Sequence, residues 1–224
     1  MKFFSFFSWA KCYCCGHSGH YICPLCLPKI EIYQWFDYIS KKPSKNFFTK
    51  SENYDDFPLV QAIVLTHYHQ PWIKTLLRHA KFYWKYQAYK DIILPFSWFF
   101  HEHVQITNSL LVPVPIHCIR RWKRGFNQSE KISDILSSFL HIPIHTHLLF
   151  RKKYTWHQSK LTKLERKIIL HSAFFTSKKN TIPQDTIIYL IDDVISSGST
   201  LIECAKTLQS VWFNDIRAIV IASD

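Results

Sequence analysis

The apolar residues of this chain follow two alternating patterns. Three stretches are continuous or nearly so: residues 59–66 read as a strand, residues 110–116 begin as a buried strand, and residues 187–191 are apolar throughout. An unbroken run suits the interior of a parallel sheet, whose two faces are both covered. Other stretches keep a helical period. Trp72, Ile73, Leu76, Leu77, Ala80, Tyr83, Trp84 and Ala88 recur every 3.6 residues, opened by Pro71 and backed by Lys74, Arg78, Lys81 and Lys85. That spacing predicts one amphipathic helix lying over the sheet. Ile132, Ile135, Leu136, Phe139 and Leu140 predict a second helix, introduced by Gly125 and an Asn127 cap. Leu201, Ala205, Leu208 and Val211 predict a third. Pro113 and Pro115 end their strand and stiffen the loop behind it. Residues 148–150 read as a further strand running into a loop, residues 41–46 as an exposed turn, and residues 160–171 as a basic helix.

One joint carries chemistry. In residues 187–200, IIYLIDDVISSGST, the apolar strand runs into Asp192 and Asp193. Ser196, Ser197, Gly198, Ser199 and Thr200 follow, and the helical pattern starts at once. The carboxyl end of such a strand is where open α/β sheets bind ligands. A Ser/Gly/Thr loop at a helix N-terminus offers backbone N–H groups, hydroxyls and a positive dipole end to a phosphate. The two acids suit ribose hydroxyls and Mg²⁺ beside it. A strand, a small polar turn and a capped helix also form the joint of any βα unit. The stretch nevertheless resembles the phosphoribosyl-pyrophosphate (PRPP) motif of type I phosphoribosyltransferases: an apolar run, two acids, then T-T-G-x-T. Ser196 and Ser197 stand where threonines are usual, which keeps the hydroxyls.

Charge adds the sign of a partner to this picture. Lys and Arg number 28 against 16 Asp and Glu, a net charge of +12, and residues 105–180 hold 14 of the cations with only 3 acids. Such asymmetry suits a polyphosphate ligand or a nucleic-acid backbone, and a solubilising basic face is the plainer alternative. The cations cluster: Arg120, Arg121, Lys123 and Arg124 behind the proline-cut strand, then Arg151, Lys152, Lys153 and Arg166 further on. Trp122, Phe126, Tyr154 and Trp156 lie among them, as they would in loops that stack single-stranded nucleic acid.

Near the N-terminus, Cys12 and Cys15 form one C-x₂-C and Cys23 and Cys26 another, with seven residues between them. Four thiolates in two knuckles suit a closed, structural zinc site, and Gly16 and Gly19 allow the reversal between them. Cys14, His17 and His20 are available as substitute ligands. Disulfides compete as an explanation, but seven cysteines in a cytoplasmic chain argue against them. Cytoplasmic placement follows from the opening MKFFSFFSWAK, whose short apolar block meets the cysteine cluster without a cleavage site. No apolar run reaches the length of a membrane span, and 47% hydrophobic with 17% aromatic residues excludes a disordered chain.

Taken together, VPVPIH…RRWKRGFNQSE, LLFRKKYTWHQSKLTKLERK…AFF and LIDDVISSGSTLIECAKTL resemble successive blocks of the ComF/GntX family. The resemblance implies an α/β fold, a type I phosphoribosyltransferase-like open parallel sheet flanked by helices and preceded by a small four-cysteine, zinc-ribbon-like module. It divides the chain into a zinc-binding module and linker, 1–57, and a phosphoribosyltransferase-like domain, 58–224. It further implies a cytoplasmic accessory protein of DNA uptake in natural transformation, working with single-stranded DNA and a helicase partner. On that reading Asp192 and Asp193 hold ribose hydroxyls or Mg²⁺, and residues 196–200 cradle the 5′-phosphate. Arg120, Arg121, Lys123 and Arg124 meet pyrophosphate or DNA, and Arg151, Lys152 and Arg166 close over it from a loop. One departure is visible: Ile169 stands where the family carries an Asn after the Arg of an R-x-x-N-L block. No acceptor pocket is legible, which favours the accessory role over the alternative, an active transferase using PRPP and an unknown acceptor.

Overall fold

A computed structural model describes residues 10–31, 36–37, 58–82, 85–151, 173–176 and 181–224. Its main sheet is built from β1 (Phe36–Asp37), β2 (Gln61–His67), β3 (Ser109–Pro113), β6 (Ile187–Ile195) and β7 (Ile216–Ser223). These five strands lie in the order β1-β2-β7-β6-β3. β2, β7, β6 and β3 run parallel, and β1 is antiparallel on β2. A separate antiparallel pair joins β4 (Leu149–Arg151) to β5 (Phe174–Thr176).

The continuous apolar runs are explained by what lies on each face. Successive strand residues point to opposite sides, and both sides here are packed. Tyr189 and Ile191 of β6 join Ile63, Leu65, Leu111, Ile219 and Ile221 in one cluster with three helices: α1 (Pro71–Phe82), α2 (Gln87–Ile93) and α3 (Ser97–His103). The helix α5 (Gln128–Leu140) lies in the same layer, through Ile132, Ile135, Leu136 and Leu140. Ile188 and Leu190 face the opposite cluster, with Leu201, Ala205 and Leu208 of α6 (Ser199–Gln209) and with Leu149 and Phe174 of the small sheet. Each fully buried Ile or Leu contributes roughly 1.5–3 kcal/mol relative to exposure.

Several boundaries differ from the pattern reading, each for a physical reason. The helix expected through Ala88 is two helices: α1 ends at Phe82, and α2, with Tyr86 as its N-cap, starts at Gln87 and carries the buried Ala88. The third helix stops at Gln209, and Val211 packs from the following turn. The basic run is not a loop: Cys118–Arg124 forms a short helix, α4, closed by Gly125 at φ 79. β3 ends at Pro113, which pairs with Ile191 as the last residue of an edge strand, where a missing N–H is tolerated. The outer side of β3 is covered, since Leu111 N–H donates to Pro143 O (2.9 Å) and His145 N–H to Leu111 O (2.9 Å).

The N-terminal segment is built into this layer. Cys12, Ile22, Cys23, Cys26 and Ile30 share the cluster of α1, α2 and α3. No helix among the described residues is long and apolar enough to cross a membrane. The opening residues 1–9, the turn at 41–46, Tyr83, Trp84, Lys152, Lys153, Tyr154, Trp156, Arg166, Ile169 and the basic helix expected over 160–171 lie outside the described residues.

Candidate functional site

β6 continues to Ile195, so the acid pair lies inside the strand near its carboxyl end. Neighbouring residues on a strand face opposite ways, and the two carboxylates accordingly meet different partners. Asp193 turns toward α1 and α2. Its Oδ2 lies 2.8 Å from Lys81 Nζ and accepts from the Tyr89 hydroxyl at 3.5 Å. Asp192 Oδ1 instead accepts from Ser129 Oγ at the start of α5 (3.3 Å) and from the Asp193 backbone N–H (2.9 Å). Burial, together with the adjacent Asp193 charge, pushes Asp192 up to about 7. Burial works against the Lys81 ammonium, but the Asp193 carboxylate wins and its pKa is raised. Tyr89, fully buried beside the same acids, is raised well above the usual phenol range by burial first and their charge second.

The loop after β6 is shaped by Gly198, whose φ of 69 a side chain would strain. Ser197 and Ser199 hydroxyls meet at 2.9 Å. Glycine at the N-cap brings no side-chain oxygen to the first turn of α6, so the orphan N–H groups there have no side-chain cap. Ser196 is exposed, and Ser197, Ser199 and Thr200 are half-buried. This is a chemistry that suits a phosphate.

α5 is fixed to that edge by one side chain. Asn127 accepts from Ser129 N–H (3.1 Å) as the N-cap and donates from Nδ2 to Val114 O (3.0 Å), with only 2% of its surface exposed. Val114 N–H in turn donates to Ile191 O. The rigid Pro113-Val114-Pro115 turn, the α5 N-terminus and the β6 end are thereby one unit. Gln128, 3% exposed, keeps its Nε2 without a hydrogen-bond partner beside Ser129.

The expected cations divide. Arg124 is half-buried and in electrostatic range of Asp193, and burial lowers its pKa. Arg151, lowered mainly by burial, is in range of Arg120 and Asp192. These three come to the acid edge. Arg121 does not, because its Nη1 pairs with Glu130 at 2.7 Å, and Lys123 is exposed on α4. Trp122 projects from the same helix with 83% of its surface exposed. Lys81, Tyr89 and Ser129 join the site without having been expected. Lys81 reads in sequence as one more cation on the wet face of a covering helix.

The sulfurs of Cys12, Cys15, Cys23 and Cys26 all lie within 4.8 Å of one another. Three are buried and Cys15 is exposed. Gly16 and Gly19, at φ 78 and 107, make the reversal between the knuckles. Four soft thiolates so placed fit zinc as a closed, structural site. Cys14, His17 and His20 are not in the cluster, and His20 lies against Asp91 (3.9 Å). A bridging Mg²⁺ fits the acid pair poorly, since Asp193 is already paired with an ammonium and faces away from Asp192.

No family model matches the chain. Among curated proteins it is 37% identical over 108 residues to Competence protein F of Haemophilus influenzae, covering 48% of this chain and 47% of that protein. It is 34% identical over 112 residues to DNA utilization protein YhgH of Escherichia coli, 47% of this chain and 48% of that one. Competence protein ComFC of Bacillus subtilis is 36% identical over 99 residues, 44% and 38% of the two chains. The chain thus spans about half the length of the first two relatives and less of the third. These homologues support membership of the ComF family.

Proposed function

We propose that this ComF-type chain acts in DNA uptake or utilisation as an accessory protein, with a phosphoribosyl site at the β6 edge and a single-stranded DNA surface on α4. The names of the homologues support the general role. The ligand is supported by one observation above the others. A half-buried carboxylate, Asp192, sits beside an α6 N-terminus with no side-chain cap, on an edge that Arg120, Arg124 and Arg151 make electropositive. A sugar diol, a 5′-phosphate and a pyrophosphate would each meet matching chemistry there. PRPP carries all three. For DNA, Trp122 offers a stacking face on a helix that also carries Arg120, Arg121 and Lys123.

Calorimetric titration of PRPP into wild type and Asp192→Asn tests the ligand. Affinity is expected to fall at least about tenfold in the variant, and unchanged affinity would sink the site. An anisotropy titration with a labelled oligo-dT tests the surface. Trp122→Ala is expected to weaken binding roughly tenfold, while an affinity indifferent to salt would rule out a basic surface.

A further inference from the structure

A pair of adjacent acids at a strand end invites the assumption of a bridging divalent ion. The side chains here are arranged against it. Asp193 descends between α1 and α2, and its side chain is 10% exposed. Its Oδ2 is held by Lys81 at 2.8 Å, the separation of a charge-assisted hydrogen bond, and the fully buried Tyr89 hydroxyl donates to the same oxygen. The Lys81 side chain is itself 23% exposed, so the pair sits at the floor of the edge and not in bulk solvent. Arg124 adds a second cation within electrostatic range of Asp193. A divalent ion chelated by both aspartates would have to displace the ammonium or sit against it. Like charges at that distance in a half-buried site repel strongly.

Asp192 is left with a different job. Among the described residues both of its hydrogen bonds fall on Oδ1, from Ser129 Oγ and the Asp193 N–H, so Oδ2 is the oxygen available to a ligand hydroxyl. A ribose diol needs an acceptor there, and the free oxygen of the Asp192 carboxyl supplies it. We infer that Lys81 is a resident cation of this edge: it occupies the place at Asp193 that a metal would need, so that a phosphoribosyl ligand is held through Asp192 without a divalent ion on the acid pair. This rests on the phosphoribosyl reading above. Lys81 acts through Asp193, fixing the end of β6, and is therefore a positioning residue.

The test uses the zinc-loaded full chain and ribose 5-phosphate, which lacks the pyrophosphate that would bring Mg²⁺ of its own. Affinity is measured by calorimetry in resin-treated, Mg²⁺-free buffer and again with Mg²⁺ added. The expected wild-type difference is less than about threefold. Mn²⁺ alone is titrated in parallel by electron paramagnetic resonance. Wild type is expected to show no Mn²⁺ site that Asp193→Asn removes, whereas Lys81→Met is expected to create one and to make sugar-phosphate binding respond to the metal. Because Lys81→Met leaves a buried carboxylate unpaired, Lys81→Arg and the neutral pair Lys81→Met/Asp193→Asn accompany it. Both are expected to fold and to bind ribose 5-phosphate without a metal requirement. A wild-type affinity that collapses more than about tenfold without Mg²⁺, or a stoichiometric wild-type Mn²⁺ site lost in Asp193→Asn, overturns the inference. If neither ribose 5-phosphate nor PRPP binds under any condition, the phosphoribosyl reading fails with it. The Mn²⁺ titration would then still decide whether Lys81 keeps a cation out.

Discussion

At the scale of single residues, the two aspartates are chemically unequal although they are adjacent in sequence. Asp193 has a counter-ion in contact at 2.8 Å, whereas the hydrogen bonds of Asp192 come from two neutral donors and its cations, Lys81 and Arg151, act only at longer range. Holding Asp192 at about 7 against an ordinary 3.8 means that the folded chain binds this proton more tightly than the unfolded chain does. Stability linked to that group is therefore fully present below the unfolded pKa and is lost as pH rises from about 4 through about 7. Asp192→Asn removes the cost of ionising the group and keeps a Ser129 acceptor. Its melting temperature is expected to exceed that of wild type by a few degrees at pH 8, where about 1 kcal/mol corresponds to roughly 2–4 °C in a chain of this size. The gap should shrink towards pH 5. A gap that stays constant over this range, followed by circular dichroism, would remove Asp192 as the titrating group. The proton at stake has charged or titratable neighbours in Asp193, Lys81, Arg151 and Cys204, so the same scan on Lys81→Arg controls for the ion pair.

At the scale of elements, the site depends on how α5 is attached to β3 and β6. Asn127 does two things from one buried side chain: it caps Ser129 N–H and ties the helix to Val114 O. Asn127→Ala loses a cap, about 1 kcal/mol, and leaves a buried carbonyl unsatisfied, about 1–3 kcal/mol more. Urea unfolding is expected to report a loss of about 2–4 kcal/mol. PRPP affinity should fall as well, because Ser129 is no longer held against Asp192. Asn127→Asp keeps the cap but sets a buried carboxylate oxygen against Val114 O, so its loss is expected to be at least as large as that of Asn127→Ala. The cap was legible in sequence because it acts over two residues. So were the strand, acids and loop of residues 187–200, which are contiguous, and the cluster of four cysteines, whose knuckle spacing is local. What the sequence did not disclose acts at long range. Tyr89 meets Asp193 across 104 positions and Ser129 meets Asp192 across 63, and no periodicity encodes such pairings. The break between α1 and α2 was hidden for a related reason. Ala88 fits the helical period of either one long helix or two short ones, and only packing against the sheet separates them.

At the scale of the whole molecule, α1 and α2 connect the cysteine cluster to the acid edge. α1 carries His79, which meets the Tyr13 hydroxyl in the N-terminal segment, and two residues on it carries Lys81 to Asp193. α2 repeats the arrangement: Tyr89 reaches Asp193, while Asp91 accepts from Tyr21 N–H (2.6 Å) and Ile22 N–H (3.4 Å). Burial pushes the Asp91 carboxyl up, and those two backbone donors, with His20, work against it. Cys12, Cys23 and Cys26 lie in the same apolar cluster as both helices. A metal that closes the four thiolates would therefore brace α1 and α2 from one end while Asp193 braces them from the other. Structural zinc contributes directly to folding free energy. Stripping it with a chelator should consequently lower the main calorimetric transition of the chain and not merely delete a small separate one. It should also weaken PRPP binding, although Cys12, Cys15, Cys23 and Cys26 cluster with one another and not with Asp192 or Asp193, because the Lys81 and Tyr89 contacts lose their far support. Asp91→Ala, with zinc retained, is expected to reproduce part of both effects. If the zinc-free chain instead shows an unshifted main transition and full PRPP affinity, the cysteine module and the acid edge are mechanically independent, and α1 and α2 do no more than pack between them.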